Sequence, residues 1–347
     1  MKNLFFCFTP YHVRVSNCLA KRLKNDSNYI ITFKNSNINT FINTKFFEEN
    51  SSFFTDRIEK IKVKEYLLNW KYIKDTREEY DNFYEYVNNI NPDNLFIFSD
   101  NAIYFQKILS KINSKVILVE EGTALYLNCS KYTIKEKIGF EIMKRLVYRY
   151  SNAKLFTHGK GGYEDFILAR EPELLDNNSK KIKMTKEFIR EVFYNYKKIK
   201  LEEGYLYSPA GTIYNKNKML LITEYIFKLF YENNIILYVK LHPREVYEND
   251  IVKLSKKYKE YVKIIDDKKI TSEDIILSEN IKGVISDYSS MLINAPYLRD
   301  KFEIYTTLNI MKEIYKIDID LNISILNLFR KKGIIKNIEI LEEKLKK

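Results

Sequence analysis

Three short groups of residues carry side chains that could work on a phosphate and a hydroxyl: Glu120-Glu121-Gly122, His242-Pro243 and Ser289-Ser290. Each stands where an apolar, β-branched run ends. A carboxylate crowded by a second one is suited to take a proton from a hydroxyl. Successive strand residues face opposite sides, so only one of Glu120 and Glu121 can look easily to a given side. Lys240 precedes His242 by two residues and shares its strand face, so a cation and an imidazole point the same way. Ser289 and Ser290 open an apolar helical stretch, and the unpaired N–H groups of a helix start hold anions. Taken singly, each group is also ordinary. A Glu-Glu-Gly can be a solvated strand end, a His before Pro a packed loop residue, and a serine pair a plain helix start. Their order, each at a strand end, is the more specific sign.

Metal chemistry has little support. The histidines are His12, His158 and His242, and no DxD, HExxH or cysteine cluster accompanies them. A metal-independent site is expected, with protein cations facing the phosphate. His158-Gly159-Lys160-Gly161-Gly162 looks like a phosphate loop but lacks both the GK[ST] ending and the GxGxxG spacing, so it reads as a flexible turn.

The elements that must position these groups follow from the hydrophobic pattern. Residues 3–8 read as a strand and 11–23 as a helix, with Thr9-Pro10 between them and the proline placed to open the helix. Residues 29–33, 94–99 and 115–120 read as strands, 103–112 as a helix, 134–150 as a long helix and 154–157 as a short strand. A polar, basic stretch, 172–203, separates the halves, and its helical part, 186–198, could connect them. From Gly204 the alternation resumes, with strands at 205–208, 235–241, 262–265, 283–286 and 302–306. Helices are expected at 218–231, 250–258, 273–278 and 290–298, then onward to Lys347. Pro209-Ala210-Gly211 is a tight turn. Thr9 and Gly211, in turns beyond strand ends, join the candidate substrate-binding residues. This alternation predicts an α/β chain with parallel sheets, and ligands in such sheets bind beyond the carboxyl ends of strands. Two Rossmann-like domains, 1–200 and 201–347, facing a central cleft fit the GT-B architecture, with a last helix that could pack back on the first domain.

A chain of 347 residues has room for two full cores. Hydrophobic residues at 45% and charged residues at 30% are a soluble globular mix. Apolar runs fall short of the roughly 18 residues a spanning helix needs, and the N-terminal one is too short for a signal peptide and ends at Pro10. Cys7, Cys18 and Cys129 imply neither a disulfide framework nor zinc, so the cytosol is the expected compartment. Cys7, in an apolar strand, reads as inert core. The net charge of +12 admits nucleic acid, an anionic membrane surface or an anionic substrate. Dispersed lysines without a recognisable nucleic-acid-binding signature argue against the first. The basic tail from Arg330 could draw the chain to an anionic inner leaflet, or be a solvated face paired with Glu339, Glu342 and Glu343.

The order Glu120-Glu121-Gly122, His242-Pro243, Ser289-Ser290 resembles three motifs shared by bacterial sialyltransferases: an acidic pair with glycine, a histidine-proline pair and a serine pair. NLFFCFTPYHV (3–13) and VKLHPRE (239–245) look most similar to glycosyltransferase family 52, which includes lipooligosaccharide sialyltransferases and some glucosyltransferases. The capsular polysialyltransferase family shares the same three motifs. This likeness implies a GT-B enzyme that uses CMP-sialic acid, needs no other cofactor and inverts the anomeric carbon. It implies an acceptor on domain 1–200 and the CMP-sugar on domain 201–347. His242, with Pro243, would contact or protonate the departing phosphate, and Ser289 and Ser290 would hold it. Lys240 would lie near the cytidine and Glu273 would bind the ribose. Glu120 would be the base, with Glu121 as substitute. In some family 52 members the base is an aspartate shortly before the His-Pro pair, but residues 208–221 here hold no acidic side chain and Glu224 falls within a helix. The base is therefore Glu120 or a group not yet identified. The partners implied are a nucleotide-sugar donor and a galactosyl or chain-end glycan of lipooligosaccharide or capsule. Peripheral contact with the inner membrane and a homodimer also fit, and nucleic acid does not. A glucosyltransferase of the same fold and a non-enzymatic polyanion-binding protein remain the rival readings.

Overall fold

A computed structural model of the chain describes all residues except 34–36, 54–69, 128–131, 195–198, 210–215, 242–246, 268, 288, 314–315, 317–322 and 347. His242, Pro243 and Gly211 therefore lie outside the described residues. The chain divides into two compact units, Met1–Met184 and Thr185–Lys347.

The first unit runs β1 (Lys2–Cys7), α1 (Pro10–Arg22), β2 (Ser27–Phe33), β3 (Glu49–Phe53), α2 (Trp70–Ile90), β4 (Asn94–Ile97), α3 (Ile103–Leu109), β5 (Lys115–Val119), α4 (Ile134–Ile142), β6 (Phe166–Ala169) and β7 (Lys180–Lys183). Its strands pair in parallel in the order β3-β2-β1-β4-β5-β6-β7. The winding reverses between β1 and β4, so the loops leaving these two strands part and open a crevice at their carboxyl ends. Leu4, Phe5, Phe6 and Cys7 are fully buried, and Phe5 stacks on Phe96 of β4 at 4.5 Å. A strand covered on both faces reads as a continuous apolar run, which is why β1 was legible.

The second unit runs α5 (Lys186–Tyr194), β8 (Gly204–Ser208), α6 (Lys216–Glu232), β9 (Ile236–Val239), α7 (Glu248–Ser255), β10 (Val262–Ile264), α8 (Ser272–Ile276), β11 (Ile281–Ser286), α9 (Ser290–Leu298), β12 (Glu303–Thr306), α10 (Leu308–Glu313), α11 (Ser324–Lys331), β13 (Lys336–Asn337) and α12 (Ile338–Leu345). Its strand order, β10-β9-β8-β11-β12-β13, repeats the winding of the first six strands of the other unit, with the reversal between β8 and β11.

Several expectations change. Residues 154–157 are not a strand; the apolar Phe166–Ala169 takes that place in the sheet. β7, with the sequence Lys-Lys-Ile-Lys, is an exposed edge strand inside the stretch read as a polar separator. Charged edge strands guard against unwanted pairing, and they carry no apolar signal to read. The long helix expected over 134–150 is nine residues followed by a π turn, Met143–Val147. The sequence boundary at 200 also shifts. α5 packs on α9, with Arg190 donating to the Tyr297 carbonyl at 3.1 Å and to Asp300 at 2.7 Å, and so falls with the second unit. α12 stays in that unit too, burying Ile338 and Leu341 in its core while the Tyr225 hydroxyl donates to Glu342 at 2.6 Å.

Candidate active site

The two glutamates after β5 part ways. Glu120 turns inward and is fully buried. Its Oε2 accepts from the Tyr126 hydroxyl at 2.5 Å and the Arg170 backbone N–H at 2.6 Å, and its Oε1 pairs with the equally buried Arg170 guanidinium. Burial opposes charge on Arg170, yet Glu120 beside it holds its pKa above the ordinary arginine value. The Tyr126 hydroxyl is raised as well, by burial first and Glu120 second. Glu120, expected to take the acceptor proton, is instead a bracket between the ends of β5 and β6. Both its oxygens are taken up by these donors, and the side chain has no exposed surface.

Glu121 points the other way. Its side chain is one-third exposed, at 33%, and its Oε2 lies 3.0 Å from His12 Nε2. His12 comes from the first turn of α1 and lies flat on Phe98, ring centroids 4.1 Å apart and planes at 4°. Its Nδ1 accepts the Phe8 backbone N–H at 3.1 Å. The proton of the neutral ring therefore sits on Nε2 and is donated to Glu121. Burial holds His12 below the usual histidine pKa despite the opposing pull of Glu121, which keeps the ring neutral. Thr9 caps α1, its Oγ1 accepting the His12 N–H at 3.3 Å, so this candidate shapes the turn that presents His12. Sequence reasoning passed over His12. The signal was there: a Thr-Pro helix start directly after an apolar strand puts His12 in the first turn, at a strand end.

A second imidazole stands near enough to weigh on His12. His158 Nδ1 lies 2.8 Å from Asp100 Oδ1, and the Gly159 N–H reaches both Asp100 oxygens at 3.0 and 3.1 Å. Burial works against the Asp100 charge, but these donors hold its pKa below the ordinary value. Glu164 beside them is pushed up to about 8, by burial first and Asp100 next. The start of the glycine-rich turn is thus tied down. Gly159 has φ +76°, and a Cβ there would meet Leu125 Cδ1 at 2.4 Å, so glycine is required. The same turn borders a polar cavity of about 560 Å³ that Glu121 and His12 do not line.

In the second unit, β11 delivers the serine pair. Ser289 is the N-cap of α9, its hydroxyl accepting the Met291 N–H at 3.2 Å, and Ser290 is the first helical residue; both are half-buried. The strand end is braced: Ser286 Oγ donates to the Ser208 carbonyl at 2.6 Å, Thr306 Oγ1 to the Asp287 carbonyl at 2.7 Å, and Thr307 Oγ1 to the Asp287 carboxylate. Glu273, in the first turn of α8, accepts from Asn294 of α9 at 2.7 Å. Glu273, Ser289 and Ser290 therefore share one pair of packed helices. Lys240 differs from expectation. Its buried ammonium donates to the carbonyls of Ile265 at 3.2 Å and Asp267 at 2.9 Å, which braces the loop after β10. A buried lysine needs such acceptors, so the cation is turned to the backbone. Among the described residues no group of three or more His, Cys, Asp or Glu could hold a metal ion.

Two parallel-sheet α/β units, each doubly wound with candidate residues at strand ends, define a protein of the GT-B type. Solved structures bear this out at the level of fold. A putative UDP-N-acetylglucosamine 2-epimerase from Listeria monocytogenes is 9% identical with a TM-score of 0.60, covering 88% of this chain and 79% of that one. The Methanocaldococcus jannaschii UDP-GlcNAc 2-epimerase, solved with UDP-GlcNAc and UDP, is 14% identical with a TM-score of 0.56, covering 97% and 88%. S. aureus MnaA, solved with UDP, is 10% identical with a TM-score of 0.54, covering 90% and 81%. No curated protein matches the chain. Residues 3–307 match the family model described as alpha-2,8-polysialyltransferase (POLYST). The chain belongs to that family, and is thereby a sialyltransferase-like glycosyltransferase. Of the two families that its motif order resembles, this is the one whose model matches.

Proposed function

We propose that the chain is an inverting, metal-independent sialyltransferase that moves sialic acid from CMP-sialic acid to the end of a bacterial surface glycan. Glu121 is the general base and His12 positions it. The observation that carries the reading is the Glu121 carboxylate, one-third exposed just past the end of β5 and held by a neutral imidazole that donates to it. The family match supports the sialyl donor, and favours a sialylated chain end over a terminal galactose as acceptor.

In this reading Glu121 takes the proton of the acceptor hydroxyl as its oxygen attacks the anomeric carbon. The bond from that carbon to the CMP phosphate breaks, and its electron pair leaves on the phosphate. Charge then builds on phosphate oxygens, and the N–H groups at the start of α9, with Ser289 and Ser290, are suited to receive it. His242 is assigned to the leaving phosphate and Glu273 to the ribose; Lys240 acts by bracing the loop after β10.

The test is CMP release from CMP-sialic acid in EDTA, with oligosialyl, lactose or no acceptor, and with UDP-glucose and UDP-GlcNAc as rival substrates. Acceptor-stimulated release is expected to survive EDTA and to fall about 10²- to 10⁴-fold in Glu121→Gln, the usual worth of a general base. Consumption of a UDP-sugar instead, with CMP-sialic acid left intact, would move the assignment to another branch of nucleotide-sugar chemistry.

A further inference from the structure

The helix α4 has no buried residue, although it is nine residues long and carries Gly139. Helices this short are marginal in water without tertiary packing, and a glycine weakens them further. Its order rests on a capping box between Thr133 and Glu136. Ile134, Ile138 and Ile142 are spaced by four and lie along one side, and the π turn carries the stripe to Leu146. Ile134 is 77% exposed, Ile138 56% and Leu146 41%. Trp70, at 66%, joins the far end. Arg77 donates to the Leu146 carbonyl, with Nε at 3.0 Å, while its guanidinium lies 5.3 Å over the Trp70 ring. Among the described residues the other large exposed apolar side chains are scattered over other elements.

Along residues 134–149 basic side chains outnumber acidic ones five to two. Lys135, Lys137, Arg145 and Arg149 are exposed along the helix and its continuation, and Lys74 is exposed one turn from Trp70. The two carboxylates of this stretch are engaged. Glu136 serves the cap, and Glu141 pairs with Lys144 at 2.7 Å and Arg145 at 3.3 Å. Apolar side chains flanked by lysine and arginine, with a tryptophan at the margin, match the headgroup region of an anionic bilayer, where isoleucine enters the acyl boundary and lysine stays with the phosphates.

We propose that the stripe Ile134–Ile138–Leu146 with Trp70 is a docking surface for the anionic phospholipid headgroups of a membrane, seating the first unit on the bilayer. This differs from a contact through the basic tail, and it does not depend on the reaction proposed above.

Flotation of the full chain with phosphatidylglycerol-containing vesicles, and with phosphatidylcholine vesicles alone, tests it. Binding to the anionic vesicles is expected, with little to the neutral ones. Ile134→Ser/Ile138→Ser should weaken binding on the order of tenfold or more, since both apolar anchors are lost. Lys135→Ser and Lys137→Ser should each weaken it about fivefold, more at low salt. Lys331→Ser/Lys332→Ser in the tail should leave it unchanged, and CMP release with a soluble acceptor should be the same in all of these variants. Three results would overturn the proposal: equal binding by wild type and the isoleucine variant, no binding to any vesicle, or a dimer in sedimentation that disperses on Ile138→Ser. The last would assign the face to a second copy.

Discussion

Adjacent glutamates at one strand end have opposite fates because consecutive strand residues face opposite ways. Glu120 goes inward between the ends of β5 and β6 and needs Arg170; Glu121 goes outward and is steadied by His12. Two substitutions of the same chemistry should therefore behave differently. Glu121→Gln should leave urea unfolding nearly unchanged and abolish most turnover. Glu120→Gln leaves the Arg170 charge buried without its counter-charge, and breaking such pairs costs about 3–5 kcal/mol, so the urea midpoint should drop. If instead Glu120→Gln is fully stable and inactive, the two roles have been assigned the wrong way round. The pair itself was readable in the sequence. Which member faces out was not, because facing depends on strand register and on an arginine 50 positions away.

At the scale of elements, most of the sheet could be drawn from apolar runs, and the helix Ser290–Leu298 appears with its expected ends. The edge strand Lys180–Lys183 could not, because nothing in Lys-Lys-Ile-Lys marks burial. β11 shows how tightly a central strand constrains its neighbours. Gly283 faces Glu303 of β12, and a Cβ there would stand 2.6 Å from the Glu303 carbonyl oxygen. Gly283→Ala should force these strands apart and destabilise the chain by about 1–3 kcal/mol, as overpacking does, measured as a lower unfolding midpoint. Ser289→Ala removes the cap of α9. A loss of about 1 kcal/mol is expected, together with a raised KM for CMP-sialic acid; a KM that stays put would separate the helix start from the donor phosphate.

For the whole molecule, the buried carboxyl of Glu164 sets a pH dependence. Its pKa in the fold is about 8, against 4.5 in an ordinary setting. Between these values the folded chain keeps a proton that the unfolded chain has lost, so stability is fullest below the lower one and falls as pH rises through the higher. Asp100 is shifted the other way, and its contribution is lost only in acid, below its ordinary 3.8. Urea midpoints taken across neutral pH should fall toward the alkaline side, and Glu164→Gln should flatten that slope. An unchanged slope in the variant would place the titration elsewhere. Among the described residues no helix is long and apolar enough to cross a membrane.

Local pattern by itself determined the α/β class, the two doubly wound halves and the strand ends where Ser289 and Glu121 stand, because hydrophobic period and turn residues act within a few positions of each other. Only the tertiary structure decided which glutamate keeps a third of its side chain exposed, that His12 holds it, that Lys240 is turned to the backbone, and that α4 buries none of its residues. The first three are pairings between residues far apart in the chain, and burial, which selects such pairings, is a property of the assembled sheet rather than of any one stretch.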